Sequence, residues 1–249
     1  MLRQRPGKAG SAAGSLVSES QATLFSMRLS VVVPVLNEAA GIAATLKALA
    51  PLRAQGHEVL VVDGGSADAT AALAAPLADA VLHSARGRAR QMNAGAAAAT
   101  GEVLLFLHAD TTLPPQADAA VAQAMSAGAH WGRFDVRISG HSALLPVIAA
   151  LMNARSRITG IATGDQAIFV RRALFSAQGG YADLPLMEDI ELSARLRRVA
   201  RPTCLRARVE TSGRRWETRG VWRTVLLMWQ LRWRYWRGTP ADVLAQAYR

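Results

Sequence analysis

Glu102-Val-Leu-Leu-Phe-Leu-His-Ala-Asp110, followed by Thr111-Thr-Leu-Pro-Pro115, decides how the rest of the chain is read. Gly101 stops an alanine-rich run, and Val103 to Leu107 then form an unbroken apolar stretch of the kind that makes a strand buried on both faces. The stretch ends abruptly at His108 and Asp110. In an open α/β sheet the carboxyl ends of strands face the ligand crevice, so a carboxylate there can hold a divalent metal or a polar ligand. Taken alone, Asp110 could equally begin a turn or cap a helix ahead of the two prolines.

Upstream, Leu29 to Val33 is a largely β-branched run that Pro34-Val-Leu-Asn-Glu38 breaks, leading to a helix with Ile42, Leu46 and Leu49 on one face. Glu58 to Val62 gives a second buried strand ending in Asp63-Gly-Gly-Ser66, with Ser66 as N-cap and Asp68 in the first turn of the following helix. Ala80 to His83 is a shorter strand, and the run from Arg86 to Gly95 enters a third helix. This alternation predicts an α/β fold with a mostly parallel, Rossmann-like central sheet flanked by helices. Downstream, the pattern predicts a helix over Gln116 to Ala127 and a half-exposed strand over Trp131 to Ile138. A helix over Ser142 to Arg157, a strand after Gly164-Asp-Gln166 and a helix from Glu188 to about Val199 follow.

The 249 residues are 51% hydrophobic and 19% charged, enough for one large α/β domain with an appendage. The single cysteine, Cys204, excludes an internal disulfide and a cysteine-based zinc site, is compatible with a reducing compartment, and reads as packing. The net charge of +11 lies wholly in the last quarter, where fourteen arginines and three acids fall between Arg195 and Arg249. Such a block can meet nucleic acid, anionic lipid or a phosphorylated substrate. Residues 1–26 read as a flexible tail without a secretory signal, and Met27 directly before the first strand is an alternative start. No stretch reaches the roughly 18 consecutive apolar residues that span a bilayer.

Residues 220–238 concentrate four tryptophans and a tyrosine among arginines. The segment is either a packed C-terminal helix or one lying on an anionic membrane face, with tryptophans at headgroup depth and arginines snorkelling.

The acidic loops at Asp63, at Asp110 and at Glu188-Asp189 share a logic. Transfer from a nucleotide-activated donor needs a neutralised leaving diphosphate and a separate carboxylate to take the proton of the attacking hydroxyl. One carboxylate does not easily do both. Val31-Val-Val-Pro-Val-Leu-Asn-Glu38, Val61-Val-Asp-Gly-Gly-Ser66, His108-Ala-Asp110 and Glu188-Asp-Ile-Glu191, in this order, resemble glycosyltransferase family 2, the inverting nucleotide-sugar transferases of GT-A fold. The resemblance covers about residues 28–215. The runs Gly87 to Gly95, Ala162 to Phe169 and Thr211 to Trp216 look like the bacterial subgroup associated with radical-SAM and selenodomain proteins.

The resemblance implies a catalytic domain over 27–215 and a basic, Trp-rich helical segment over 216–249. It implies a nucleotide-sugar donor, a hydroxyl acceptor and Mg²⁺ or Mn²⁺. Pro34 and Glu38 match positions lining the nucleotide pocket, and Asp63 the acid that contacts base or ribose. Asp110 matches the last acid of the metal motif, in which His108 replaces the usual aspartate. Histidine suits Mn²⁺ better than Mg²⁺, so either the metal preference differs or His108 stands behind the ligand. Asp189 matches the catalytic base, with Glu188 raising its proton affinity by like-charge repulsion; the same acids are also what a helix N-terminus favours.

Arg86, Arg88 and Asn93 at the third helix either meet the donor's phosphates or form a solvated basic face. Arg214, Arg215 and Trp216 suggest a late cationic clamp. Asp165 and Gln166 either contact a sugar or shape a turn. A dehydrogenase is excluded because no G-x-G-x-x-G follows the first strand. A nucleotidylyltransferase lacks its glycine-rich loop, and a nucleic-acid-binding protein leaves the acidic loops without purpose. The expected place is the cytoplasm, with or without peripheral contact to the inner face of the cytoplasmic membrane.

Overall fold

The computed structural model describes residues 27–248. The tail expected over 1–26 lies outside the described residues. Eight strands form one sheet in the order β3-β2-β1-β4-β7-β6-β8-β5. They are β1 (Leu29–Val35), β2 (Glu58–Asp63), β3 (Ala80–His83), β4 (Val103–Phe106), β5 (Thr111–Thr112), β6 (Trp131–Ser139), β7 (Phe169–Arg171) and β8 (Thr203–Ser212). The helices are α1 (Ile42–Ala48), α2 (Ala50–Ala54), α3 (Thr70–Ala74), α4 (Arg88–Ala98), α5 (Ala117–Ser126), α6 (Leu145–Thr159), α7 (Arg172–Ala177), α8 (Glu188–Val199), α9 (Arg214–Arg219), α10 (Val221–Trp236) and α11 (Ala241–Tyr248).

The first four strands are parallel, as their continuous apolar runs predict. β7 enters antiparallel between β4 and β6, β8 runs parallel to β6, and β5 pairs antiparallel with β8. Proline does not break β1 where expected. The β1–β4 ladder ends at Val32 and Phe106, closed by Leu107 N–H on the Val32 carbonyl, so the N–H that Pro34 lacks has no partner to lose. Helix α4 lies close on β1 and β2 because Gly95 leaves room, and a Cβ there would collide with Val32.

Two expectations fail for the same reason, that polar residues here bond inward. Ser66 is not a helix cap. Its hydroxyl goes to the Asp63 carboxylate, which also accepts the Gly65 and Ser66 N–H groups, while Asp68 accepts the N–H of Thr70 at the start of α3. Strand β6 is not half-exposed either. Arg133 and Asp135 form an internal network beneath α6, in which the wholly buried Arg133 bonds to Ser156 Oγ, the Phe134 and Asn153 carbonyls and Asp135, while Arg137 alone on this strand is exposed. Such a buried ion is tolerated because its N–H groups are engaged.

The segment after β8 is part of this body. Leu231 and Leu244 of α10 and α11 are buried against Leu186 and Met187, the residues leading into α8.

Candidate active site

At the carboxyl ends of β1 and β4 lies a cleft of about 730 Å³, a size suited to a small-molecule ligand. Pro34 and Glu38 come from the end of β1, Arg86, Gly87, Arg88 and Gln91 from the start of α4, and His108 and Asp110 from the end of β4. Asp165, then Arg214, Arg215 and Trp216 of α9 and Tyr248 of α11, also line the cleft. The wall at Arg214 is fixed by the β5–β8 pairing. Thr111 faces Thr211, their hydroxyls 3.0 Å apart, and Ser212 N–H donates to the Asp110 carbonyl at 3.2 Å. Arg215 lies over the Tyr248 ring at 3.9 Å, so the last helix steadies the cationic wall.

Asp189 sits at the first turn of α8, outside the cleft lining and hydrogen-bonded to the turn that carries Asp165. Its Oδ2 accepts the Gly164 N–H at 2.8 Å and its Oδ1 the Ile190 N–H at 2.7 Å, which fixes the carboxylate. Burial first, and then the Glu188 charge next to it, push its pKa up to about 6, against those N–H groups and Arg88. Glu188 is buried with Arg88 Nε 3.4 Å from its carboxylate. Arg88 is the centre of the arrangement. Burial opposes its charge, yet Glu188, Asp189, Asp165 and Asp110 together hold its pKa above the ordinary arginine value. Of the acids expected to share one crevice, Asp63, Asp110 and Glu188-Asp189, Asp110 lines the cleft, Glu188 and Asp189 act with it on the Arg88 guanidinium from outside the lining, and Asp63 stands apart.

The other expected residues divide. Glu38 has a raised pKa, mainly from burial and then from Asp110. Asp63 is buried outside the cleft lining, where its hydrogen bonds from Ser66 and Gly65 outweigh the opposing effect of burial and lower its pKa. Asn93 uses both ends of its amide on the Tyr181 backbone, and Gln166 closes a capping box on Thr163 and reaches Asn153. Both amides hold loops and neither lines the cleft.

His108 Nδ1 lies 3.3 Å from Asp165, and its Nε2 edge packs against Gly164 so closely that a Cβ there would collide. Burial opposes the imidazolium, but Asp165 and Asp110 leave the His108 pKa above its usual value. An imidazole with Nδ1 on Asp165 and Nε2 packed against Gly164 is not a free ligand. Asp110 differs, since among the described residues its exposed carboxylate has only the Thr111 hydroxyl at 3.4 Å. That fits a divalent cation held through one protein carboxylate, with phosphate and water completing its shell.

Sequence reasoning missed Gln91 and Arg155. The buried Gln91 Nε2 donates to the carbonyls of Val35 and Val62, tying the ends of β1 and β2 together. An amide in the first turn after Gly87 was the available signal. Arg155 on α6 lies within electrostatic reach of Asp189 and Asp165, and its Nε and Nη2 are buried without a hydrogen-bond partner among the described residues. A lone arginine in a helix gave no signal.

Among solved structures, S. aureus TarS 1–349 in complex with UDP-GlcNAc is 20% identical with a TM-score of 0.62, over 75% of this chain and 58% of that one. The mannosyltransferase PcManGT from Pyrobaculum calidifontis, in complex with GDP-Man and Mn²⁺, is 22% identical with a TM-score of 0.56, over 74% and 56%. Glucosyl-3-phosphoglycerate synthase from Mycobacterium tuberculosis, in complex with Mn²⁺, UDP and glucosyl-3-phosphoglycerate, is 18% identical with a TM-score of 0.56, over 84% and 77%. Identities this low show a shared fold, the GT-A architecture. The chain spans less than two thirds of the TarS and PcManGT structures. No curated protein matches it. The family model described as "Glycosyl transferase family 2" matches residues 30–174, more than half of the chain, from β1 through the cleft strands to β7. With β1 and β4, at whose carboxyl ends the cleft lies, inside that match, the chain belongs to glycosyl transferase family 2.

Proposed function

We propose that this chain is an inverting glycosyltransferase that moves a sugar from a nucleotide-sugar donor to an acceptor hydroxyl. The observation that carries the reading is the division of carboxylates around Arg88, with Asp110 open to the cleft and Asp189 fixed beside it at a pKa near its working range. The acceptor oxygen attacks the anomeric carbon from the face opposite the leaving group, and its proton passes to Asp189. The bond from that carbon to the diphosphate oxygen breaks and the nucleoside diphosphate departs, which inverts the centre.

Arg86, Arg88, Arg214 and Arg215 meet the diphosphate's charge. Pro34 and Glu38 bound the nucleoside, with Asp63 fixing the adjacent loop. Asp165, held by His108, faces the sugar, and Glu188 tunes Asp189. Asp110 would hold Mg²⁺ or Mn²⁺, which when bound supplies positive charge to the leaving diphosphate. The likeness of Gly87 to Gly95, Ala162 to Phe169 and Thr211 to Trp216 to the radical-SAM and selenodomain-associated subgroup supports a place in it. A peripheral position on the inner face of the cytoplasmic membrane, through 220–238, is supported by the exposed tryptophans of α10. Among the described residues no helix is long and apolar enough to cross a membrane.

A thermal-shift panel of UDP-, GDP- and dTDP-sugars with Mn²⁺ or Mg²⁺ tests the reading. A true donor at about 100 times its Kd adds about 2.7 kcal/mol of stability. That corresponds to about 5–10 °C in Tm for a domain of this size. A flat response to every nucleotide sugar with either metal sinks the proposal. Arg88→Met probes the centre. Loss of the guanidinium removes a charge that favours ionised Asp189, so the acid limb of the pH–rate profile moves above pH 6, and turnover at pH 5.5 drops about ten-fold more than at pH 8. An unmoved limb would detach Arg88 from the base.

A further inference from the structure

Helix α10 turns Thr224 and Leu231 inward and leaves Trp222, Leu226, Trp229, Trp233 and Trp236 between 57% and 80% exposed. These positions recur every three or four residues and form one stripe along the helix. Arg223 and Arg237 flank it on one side and Arg232 on the other. Four exposed tryptophans in line exceed the scattered apolar residues that any surface carries.

A second stripe lies on α6, whose apolar positions read as core in the sequence. Helix α6 buries Leu145, Ile148, Ala149 and Ser156, and leaves Val147, Leu151 and Ile158 55% to 75% exposed, with Leu144 in line before them. Arginines hold its far end, where Arg201 Nη2 donates to the Ile158 carbonyl and Arg197 Nη1 to that of Thr159. Neither helix contains a single acid. Both border the same cleft on their other sides, α6 through Met152 and α10 through Thr224 and Met228.

We propose that α6 and α10 together form one docking surface for an anionic lipid bilayer, beside the mouth of the cleft. Charge selects this occupant. Arginines flanking an apolar, acid-free face match anionic headgroups, and indole rings favour the depth where an apolar body meets a polar rim. Two copies of this chain meeting face to face would bring arginines against arginines. The proposal extends membrane contact from α10 alone to a two-helix platform, and it stands apart from the catalytic reading.

The test is cosedimentation of the full chain with vesicles of phosphatidylcholine, alone or mixed with phosphatidylglycerol. The wild type binds the mixed vesicles, and binding falls with salt. Leu151→Ser with Ile158→Ser weakens partitioning about ten-fold, and Trp229→Ser with Trp233→Ser does so at least as strongly. Leu73→Ser, an exposed position on α3, changes nothing. Each variant's Tm, unchanged from wild type, shows that it is folded. The platform is overturned if the Leu151/Ile158 pair binds mixed vesicles as the wild type does. It is equally overturned if the wild type ignores vesicles, including the case where it self-associates through these residues. Vesicle binding without any nucleotide-sugar thermal shift would leave the docking surface standing and sink the transferase reading instead.

Discussion

Asp189→Asn is expected to lower turnover by about 10³-fold, the middle of the range for loss of a positioned general base, while nucleotide-sugar binding persists. The amide is nearly isosteric and can still accept one of the two N–H groups from Gly164 and Ile190, so the turn keeps its shape. What it cannot do is take a proton. In the wild type, kcat/KM should rise with pH through about 6 and level off above, because only ionised Asp189 is a base and its pKa lies there.

The same carboxyl affects stability in the opposite sense. Its pKa in the folded chain is above the ordinary 3.8, so the folded state holds the proton more tightly than the unfolded chain does. That contribution is complete below about pH 4 and is lost as pH rises through about 6. At pH 7 the ionised, partly buried group is therefore a cost. Removing it should raise stability by about 1 to 2 kcal/mol after allowing for one weakened hydrogen bond. Asp189→Asn thus becomes a dead enzyme with a higher Tm, and its advantage over wild type grows between pH 4 and 7. Full turnover in this variant would refute the base assignment, and a Tm that falls at every pH would refute the account of its burial.

The parallel half of the sheet was legible because a strand covered on both faces must be apolar throughout, and Leu29–Val33, Val59–Val62 and Val103–Leu107 are. Asp110 was legible because polar residues end its run abruptly, whereas the same signal at Asp63 marked an acid that lies outside the cleft lining. Strand β6 was misread because the alternation of Arg133, Asp135 and Arg137 has the same period whether its polar side meets water or an internal ion network. Whether Asn93 and Gln166 meet a ligand or serve the chain stays open in the sequence, because an amide serving a distant backbone looks there like any other amide. The two residues of β5 are too few to carry a pattern, yet they join Asp110 to the end of β8 and so set the cationic wall. The stripe on α6 was hidden by its own helix, since an apolar residue on a helix reads as core until the neighbouring elements are known.

Asp110→Ala is the sharper test of how donor and metal share the cleft. With Mn²⁺ present, affinity for UDP is expected to fall about 10²-fold, roughly what losing the anchoring carboxylate of a phosphate-bound cation removes. Without metal the sign reverses. Asp110 is then a bare anion facing a diphosphate, and its removal leaves Arg86, Arg88, Arg214 and Arg215 with less opposing charge, so metal-free UDP should bind the variant as well as the wild type or better. The discriminating measurement is calorimetric titration of UDP with and without Mn²⁺. Wild type gains affinity with the metal, and the variant becomes indifferent to it. Glu38 supplies an independent check, since Asp110 follows burial among the causes that raise its pKa and the substitution should therefore lower it. If Asp110→Ala keeps the whole Mn²⁺-dependent gain, the cation is held elsewhere. His108 would then have to turn away from Asp165 and Gly164 to reach it, and the division of labour between the two carboxylates would fall.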